Sequence, residues 1–189
     1  AQSLVGNSYD NPSETMTTNI IGVNNILDAV RVVGKKCTAV VITSDKCYDN
    51  LELERGYHEN DILGGKDPYS ASKGAAELVV KGYYHSFFKT QDLIRIATAR
   101  AGNVIGGGDW AKDRIIPDCI RAWEKEEKVK IRNPHSTRPW QHVLEPLSGY
   151  LHLGQQLFEN NDLNGESFNF GPPKQNNHTV LELIEQIVK

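Results

Sequence analysis

Cysteine is scarce in this 189-residue chain, with Cys37, Cys47 and Cys119 its three examples. An odd number without Cys-x-x-Cys spacing offers neither a disulfide framework nor a tetrahedral zinc site. A reducing, cytoplasmic setting is therefore expected. No apolar run approaches the roughly 20 residues of a membrane span, and no stretch has the make-up of a secretory signal. A net charge of -3 gives no reason to expect nucleic acid or an anionic membrane surface as partner. Asn177-His178-Thr179 is formally a glycosylation sequon, without consequence if the chain is not secreted. Also lacking are Gly-x-Gly-x-x-Gly and Walker spacings. The composition that remains, 39% hydrophobic and 24% charged, is that of a soluble globular protein long enough for one sizeable core or a domain and a half.

Taken in order, the chain alternates helical and strand patterns. It opens on Ala1-Gln2-Ser3-Leu4-Val5 without an initiator Met, which reads as the middle of something longer. Asn11-Pro12-Ser13-Glu14 predicts a helix start, with Asn as N-cap and Pro at the first helical position. Met16, Ile20, Val23, Leu27 and Val30 continue it at helical spacing to a stop at Gly34. Residues 38–44, TAVVITS, read as a parallel strand buried on both faces. Such a strand presents ligand-facing groups just past its carboxyl end, here Ser44-Asp45-Lys46-Cys47-Tyr48. Residues 49–68 form a loop, and a helix is predicted over about 70–88 with Ala71, Ala75, Leu78, Val79 and Tyr83 inward. LIRIATARA at 93–101 predicts a second buried strand. Gly106-Gly107-Gly108 then offers either a phosphate cradle or a wide turn. Beyond lie a helix near 117–125, a short strand at 128–132, a loop at 133–140 and a helix at 146–158 with Leu147, Leu151, Gly154 and Phe158 on one face. A strand at 167–170 and a helix opened by the capping box Thr179-x-x-Glu182, running to Lys189, complete the pattern. The class is α/β, with the parallel-sheet signal strongest before residue 105.

Tyr69 and Lys73 stand four apart on one predicted helix, so their side chains meet on neighbouring turns. An ammonium there favours the phenolate and turns an inert hydroxyl into a general base. Alone this spacing is weak, since chance supplies it in about every second chain of such composition.

The buried strand ending Ser44-Asp45-Lys46, the Tyr69-x-x-x-Lys73 helix and the next strand's ARAGNVIGGGDW together resemble the extended short-chain dehydrogenase/reductase family. TSDKCYDN, DPYSASKGAAELV, RIIPDCIRA and IRNPHSTRPWQHVLEPLSGYL are similar to its nucleotide-sugar 4,6-dehydratases, and most closely to those acting on CDP-glucose. The resemblance runs over essentially the whole chain. It implies a partial Rossmann-type parallel sheet with helices, plus most of a smaller substrate-binding α/β domain, with the N-terminal glycine-loop half of the Rossmann fold absent. The domains implied are 1–105, the later part of the NAD-binding domain; 106–165, the sugar-nucleotide domain; 166–171, a strand returning to the sheet; and 172–189, the start of a further substrate-domain segment.

The chemistry implied is an internal redox elimination with NAD as cofactor and CDP-glucose as substrate. Tyr69 would take the proton of the C4 hydroxyl as hydride leaves C4, with Lys73 supporting Tyr69 and holding the nicotinamide ribose. Ser44 would hydrogen-bond the C4 oxygen. Asp45 would protonate the departing C6 hydroxyl, a role that calls for burial. Lys46 departs from the glutamate found in the related dTDP-glucose enzymes. It would either remove the C5 proton or, as a cation, stabilise the enolate. Asn103, Arg114 and Arg138 would bind the sugar or its phosphates, and His142 would position that region or simply start a helix. Trp110 and Trp140 are cytosine walls or core residues, and Tyr9 and Tyr48 are expected to pack. Asp109 and His135 carry no assignment. A homodimer through the helices near 12–33 and 70–88 is also implied, and a product that supplies deoxysugars to surface polysaccharides.

Two other readings compete. One is a different enzyme on the same scaffold, a 4-epimerase or another nucleotide-sugar dehydratase, against which Asp45-Lys46 weighs because epimerisation needs no elimination acid. The other is a non-catalytic folding or assembly segment. Such a segment would bind NAD poorly without the backbone donors of a glycine loop.

Overall fold

The computed structural model describes residues 1–188, so Lys189 lies outside the described residues. Helix α1 (Val5–Asp10) precedes α2 (Pro12–Met16), a π-helical turn (Thr17–Ile21) and α3 (Gly22–Val33). Strand β1 (Cys37–Ile42) is followed by a 3-10 turn (Asp45–Cys47), α4 (Pro68–Tyr83) with a π-helical end (Tyr84–Phe88), and β2 (Ile94–Ala101). Then come β3 (Val104–Ile105), α5 (Ile115–Glu124), β4 (Thr137–Arg138), β5 (Gln141–His142) and α6 (Leu144–Glu159). Strand β6 (Ser167–Phe170), β7 (His178–Thr179) and α7 (Val180–Ile187) finish the chain.

Contacts divide the chain into two compact units. The first joins Ala1–Ala101 to Pro146–Phe170, and the second joins Gly102–Glu145 to the residues from Gly171 onward. This differs from the boundaries expected from sequence, because 146–165 belong with the sheet rather than with 106–145.

In the first unit a three-stranded parallel sheet runs in the order β1-β2-β6, with Cys37 opposite Ile94 and Thr98 opposite Ser167. β2 is central, and its side chains sort by parity, as a pleated strand requires. Ile94 and Ile96 join Leu27, Val80 and Phe88 beneath α3 and α4. Ala97 and Ala99 face the other way, into Leu153 and Leu157 of α6 with Tyr150, Phe168 and Phe170. Each such fully buried side chain as Leu27 or Leu157 contributes about 1.5–3 kcal/mol of transfer free energy. Among the described residues β1 has a strand neighbour on one side, β2, and it is half-buried rather than buried on both faces.

Helix faces are where the sequence reading needs correcting. On α4 the buried residues are Tyr69, Ser70, Ser72, Lys73, Gly74, Ala76, Glu77 and Val80; of those expected inward, Val79 and Tyr83 pack partly against the core, whereas Leu78 is 59% exposed. On α6 Leu153 and Leu157 are buried, while Leu147, Leu151 and Phe158 are exposed. Along 12–33 the helix is not uniform, because the π turn places Asn19 inward. There Asn19 accepts from Gln2 N (2.8 Å) and donates to Gln2 O (2.9 Å) and Ser72 Oγ (2.9 Å). Asn11 makes no side-chain capping bond, but Gly34 does stop α3, with φ +59.

In the second unit β3 pairs in parallel with β5, and β4 pairs antiparallel with β7. No strand forms at 128–132, where the backbone has no ladder partner; the pairing expected there falls instead at Thr137–Arg138. The capping box of α7 is complete, with Glu182 N on Thr179 Oγ1 (3.1 Å) and Thr179 N on Glu182 Oε2 (2.7 Å).

Candidate functional site

β1 ends at Ile42, and the chain then turns sharply. Ser44 is the N-cap of the 3-10 turn, its Oγ accepting from Lys46 N at 3.2 Å and donating to Asp45 Oδ1 at 3.1 Å. Thr43 and Ser44 are buried. Asp45 and Lys46 are not: their side chains are about one-third exposed and form an ion pair at 3.6 Å. The burial expected of Asp45 is therefore absent, because the turn points its carboxylate to solvent beside an ammonium.

α4 packs directly on this turn. Asp67 caps the helix, accepting from Ser70 N (2.9 Å) and Ser70 Oγ (2.6 Å), and Pro68 occupies the first helical position. Tyr69 is thereby buried in the first helical turn, where the macrodipole favours an anion. Ser72 Oγ donates to Tyr69 O at 2.7 Å and itself accepts from Asn19, so the first turn of α4 is tied to the π turn at 17–21. Lys73 reaches back to the sheet, with Nζ 3.4 Å from the Ile42 carbonyl oxygen. Burial pushes the Lys73 ammonium below its ordinary range, and the nearby Glu77 carboxylate opposes that. Close approach of helix and turn depends on Gly74: a Cβ there would sit 2.8 Å from Gly64 O and 3.1 Å from Cys47 O.

The structure thus brings Ser44, Asp45, Lys46, Tyr69 and Lys73 together in the first unit. Asn103, Arg114, Arg138 and His142 all belong to the second. There the Asn103 Oδ1 is buried without a partner among the described residues, while its carbonyl oxygen accepts from Gln141 N at 3.2 Å. Arg114 Nε lies 2.9 Å from Asp109 Oδ2, an ion pair without hydrogen-bond geometry, which gives Asp109 a partner. Arg138 Nη1 donates to the carbonyl of Thr137, its chain neighbour (2.7 Å). His142 Nδ1 accepts from Leu144 N at 3.3 Å, a helix-start contact. Trp110 is not core: it is 56% exposed under the Arg121 guanidinium. Trp140 is half-buried, its Nε1 donor unpartnered among the described residues. Tyr9 does not pack, being 64% exposed, and His135 is exposed.

Sequence reasoning missed a buried ionic cluster beside Lys73. Glu77 accepts from Arg100 through Nε and Nη2 (both 2.9 Å), from Thr98 Oγ1 (2.8 Å) and from Thr43 Oγ1. Both charged side chains are 3% exposed. Burial pushes the Glu77 carboxyl upward, but the Arg100 contacts and the two threonine hydroxyls outweigh it, so the net shift is downward. Removing one partner of such a pair leaves an uncompensated buried charge and costs about 3–5 kcal/mol. Arg100 Nη1 also donates to Tyr48 OH (2.8 Å) and Glu59 O (2.9 Å). Tyr48 OH donates to Asn169 Oδ1 (2.7 Å). The signal was present: Glu77 stands four residues beyond Lys73, and Arg100 lies in a strand whose Ile and Ala residues mark it as buried, where a charge must find a counter-charge.

Among the described residues no cluster of His, Cys, Asp and Glu could hold a metal ion, and no helix is long and apolar enough to cross a membrane. The residues present suit one end of a dinucleotide, with Lys73 and Tyr69 at the carboxyl end of a parallel strand. No Gly-x-Gly-x-x-Gly loop occurs in the sequence to take the other end.

With that geometry in view, a family model described as GDP-mannose 4,6 dehydratase matches residues 1–187. A CDP-glucose 4,6-dehydratase of Salmonella typhimurium is 51% identical over 192 residues, covering 100% of this chain and 54% of that protein. A double mutant of a dTDP-glucose 4,6-dehydratase from Streptomyces venezuelae, solved with NAD bound, superposes with a TM-score of 0.83 at 20% identity, over 100% of this chain and 54% of that one. An epimerase from Methanothermobacter thermautotrophicus gives a TM-score of 0.82 at 25% identity, over 99% and 53%. The chain spans about half the length of these relatives.

Proposed function

This chain belongs to the GDP-mannose 4,6 dehydratase family, and from that premise we propose that it is the part of an NAD-dependent CDP-glucose 4,6-dehydratase carrying the acid–base residues. The observation that carries the reading is the reach of buried Lys73 from α4 to the Ile42 carbonyl, beside Ser44 and the Asp45–Lys46 pair. The 51% identity to the Salmonella enzyme supports CDP-glucose as substrate.

NAD, held at its nicotinamide ribose by Lys73, would supply reversible hydride acceptance between C4 and C6. Tyr69, as phenolate, takes the proton of the C4 hydroxyl, and Lys73 stabilises that phenolate and holds the nicotinamide ribose. Ser44 donates a hydrogen bond to the C4 oxygen. The C4 ketone acidifies C5–H; within the Asp45–Lys46 pair the ammonium first passes a proton to the carboxylate 3.6 Å away, so that the neutral Lys46 amine takes the C5 proton, the neutral Asp45 carboxyl gives one to the departing C6 hydroxyl, and water leaves across C5–C6. Asn103, Arg114, Arg138 and His142 bind the polar groups of the nucleotide sugar; the unpartnered Asn103 Oδ1 supports its assignment. We place the protein in the cytoplasm, where its three cysteines stay free. It acts as a homodimer whose faces are the helices near 12–33 and 70–88. Exposed Ile21, Ile26, Leu78 and Phe87 on those helices support this.

The test is incubation of the full-length protein with NAD and either CDP-glucose or UDP-glucose. A 4-keto-6-deoxy product is expected from CDP-glucose, with Tyr69→Phe lowering kcat about 10²–10⁴-fold. Product from UDP-glucose alone, or a C4 epimer in place of the dehydrated sugar, overturns the reading. Micromolar NAD binding by these 189 residues alone would argue against the rival view of a segment without a cofactor role.

A further inference from the structure

The Glu77–Arg100 pair lies outside the residues assigned to chemistry, yet it touches both ends of the stretch that carries three of them. At the near end, Glu77 accepts from Thr43 Oγ1. Thr43 sits between Ile42, whose carbonyl takes Lys73 Nζ, and Ser44. At the far end, Arg100 Nη1 donates to Tyr48 OH at 2.8 Å, and the guanidinium lies 5.0 Å from the Tyr48 ring centre. Ser44, Asp45 and Lys46 are suspended between these two grips. Every oxygen of the carboxylate is occupied: Oε1 by Thr43 and Arg100 Nε, Oε2 by Thr98 and Arg100 Nη2. Two buried charges on a helix and a strand are costly unless fully paired, so this pair has one arrangement and transmits it to whatever it holds.

We propose that Glu77 and Arg100 act as positioning residues, a buried clamp that fixes segment 43–48 and, through the Ile42 carbonyl and the shared helix, sets Ser44 against Tyr69 and Lys73. The clamp rests on the function proposed above for that segment. It also accounts for Tyr48, which anchors the far end by donating a hydrogen bond to Asn169 Oδ1 at 2.7 Å.

Deleting either charge risks unfolding, so the test loosens one grip at a time in the full-length protein. Thr43→Val removes the hydroxyl bonded to Glu77 and keeps the shape, Thr43→Ser restores the hydroxyl, and Tyr48→Phe removes the hydroxyl bonded to Arg100 while keeping the ring beside the guanidinium. Misplacement of reacting groups by about 1 Å costs about 10²-fold in rate. Thr43→Val and Tyr48→Phe are therefore expected to lower kcat between about tenfold and a hundredfold while KM for the sugar nucleotide stays within about twofold. Thr43→Ser should recover most of the loss. A purely structural role would lower melting temperature without this split or rescue. Hydrogen exchange at the Lys46 and Cys47 amides, bonded to Ser44 Oγ and Ser44 O, provides a readout independent of turnover. It should rise at least about tenfold in both variants. Wild-type-like kcat in both variants, or unchanged exchange, overturns the clamp. If the wild-type protein turns over no nucleotide sugar, the proposed function falls and exchange alone decides: a rise sustains the clamp, and no change overturns it.

Discussion

Replacing Gly74 by alanine should do the opposite of what helix propensity foretells. In a helix interior, alanine is favoured over glycine by about 0.8–1.0 kcal/mol. At position 74, however, the new Cβ would stand 2.8 Å from Gly64 O and 3.1 Å from Cys47 O, both backbone atoms with no flexible side chain to yield. Cys47 O already accepts from Gly64 N at 2.8 Å, so relief requires α4 to retreat from the 3-10 turn and the loop strand beside it. Overpacking of this kind costs about 1–3 kcal/mol, which leaves a net loss of up to about 2 kcal/mol. Gly154 on α6 is the control. It too is helical, but its Cβ would meet only Val40 Cγ2 at 3.7 Å, an ordinary contact, so alanine there should stabilise by about 1 kcal/mol. The two variants should therefore straddle the wild type in urea unfolding and stand about 1–3 kcal/mol apart. With a slope of about 1–3 kcal/mol/M, such a gap is easily resolved in the midpoints. Turnover should fall in Gly74→Ala, because the retreat separates Tyr69 and Lys73 from Ser44. A Gly74→Ala protein as stable as Gly154→Ala, with wild-type turnover, would refute the view that helix-to-turn contact sets the site.

The Glu77 carboxyl titrates below the ordinary carboxylate range, with burial opposing and the Arg100 and threonine contacts prevailing. A depressed carboxyl contributes stability that is fully present above the unfolded value of about 4.5 and is lost as pH falls through the folded value. Urea unfolding of wild type from pH 7 to pH 3 should thus steepen below about pH 4.5, and Glu77→Gln should be less stable at pH 7 but flatter in that window. Equal pH slopes in the two proteins would count against the pair. Light scattering of the full-length protein should give twice the monomer mass, and Leu78→Glu, charging the 59% exposed Leu78, should shift it toward monomer. A monomer in the wild type would refute the proposed faces.

Much of this arrangement was legible because short-range rules decide it. The strand cores at 38–42 and 94–101, the Gly34 stop and the Thr179–Glu182 box follow from local chemistry, and the structure contains them all. The 3-10 turn after β1 was legible as a polar strand end, although its outward tilt, which leaves Asp45 about one-third exposed, was not. The expected strand at 128–132 failed because β-propensity has no meaning without a partner, and pairing is a long-range event. The four candidates at Asn103, Arg114, Arg138 and His142 share a unit, but the nearest partners of the last three are local: Asp109, Thr137 O and Leu144 N.

The two mistaken helix faces share a physical cause that bears on the site itself. Periodicity arguments assign apolar residues inward, because burial of an unpaired polar group is costly. On α4 that cost is cancelled, since Glu77 meets Arg100, Thr43 and Thr98, and Lys73 meets Ile42 O. Once those partners exist, turning Tyr69, Lys73 and Glu77 inward and leaving Leu78 outward becomes favourable, and Leu78 with Ala71 and Ala75 lines an open groove beside Gly64 and Gly65. The inversion is therefore informative. A helix that buries its charges and exposes its leucine carries a polar cluster on the sheet side and an unfilled apolar surface on the other. On the proposed function, the first would hold a general base next to a parallel strand end and the second would meet a second copy of the chain. Arg100 supplies the sequence cue for both: of the two arginines in the central strand, Arg95 is met by the carbonyls of Leu157 and Phe158, whereas the buried Arg100 is met by an acid. The acid four residues beyond Lys73 on the neighbouring helix then fixes which way that helix must turn.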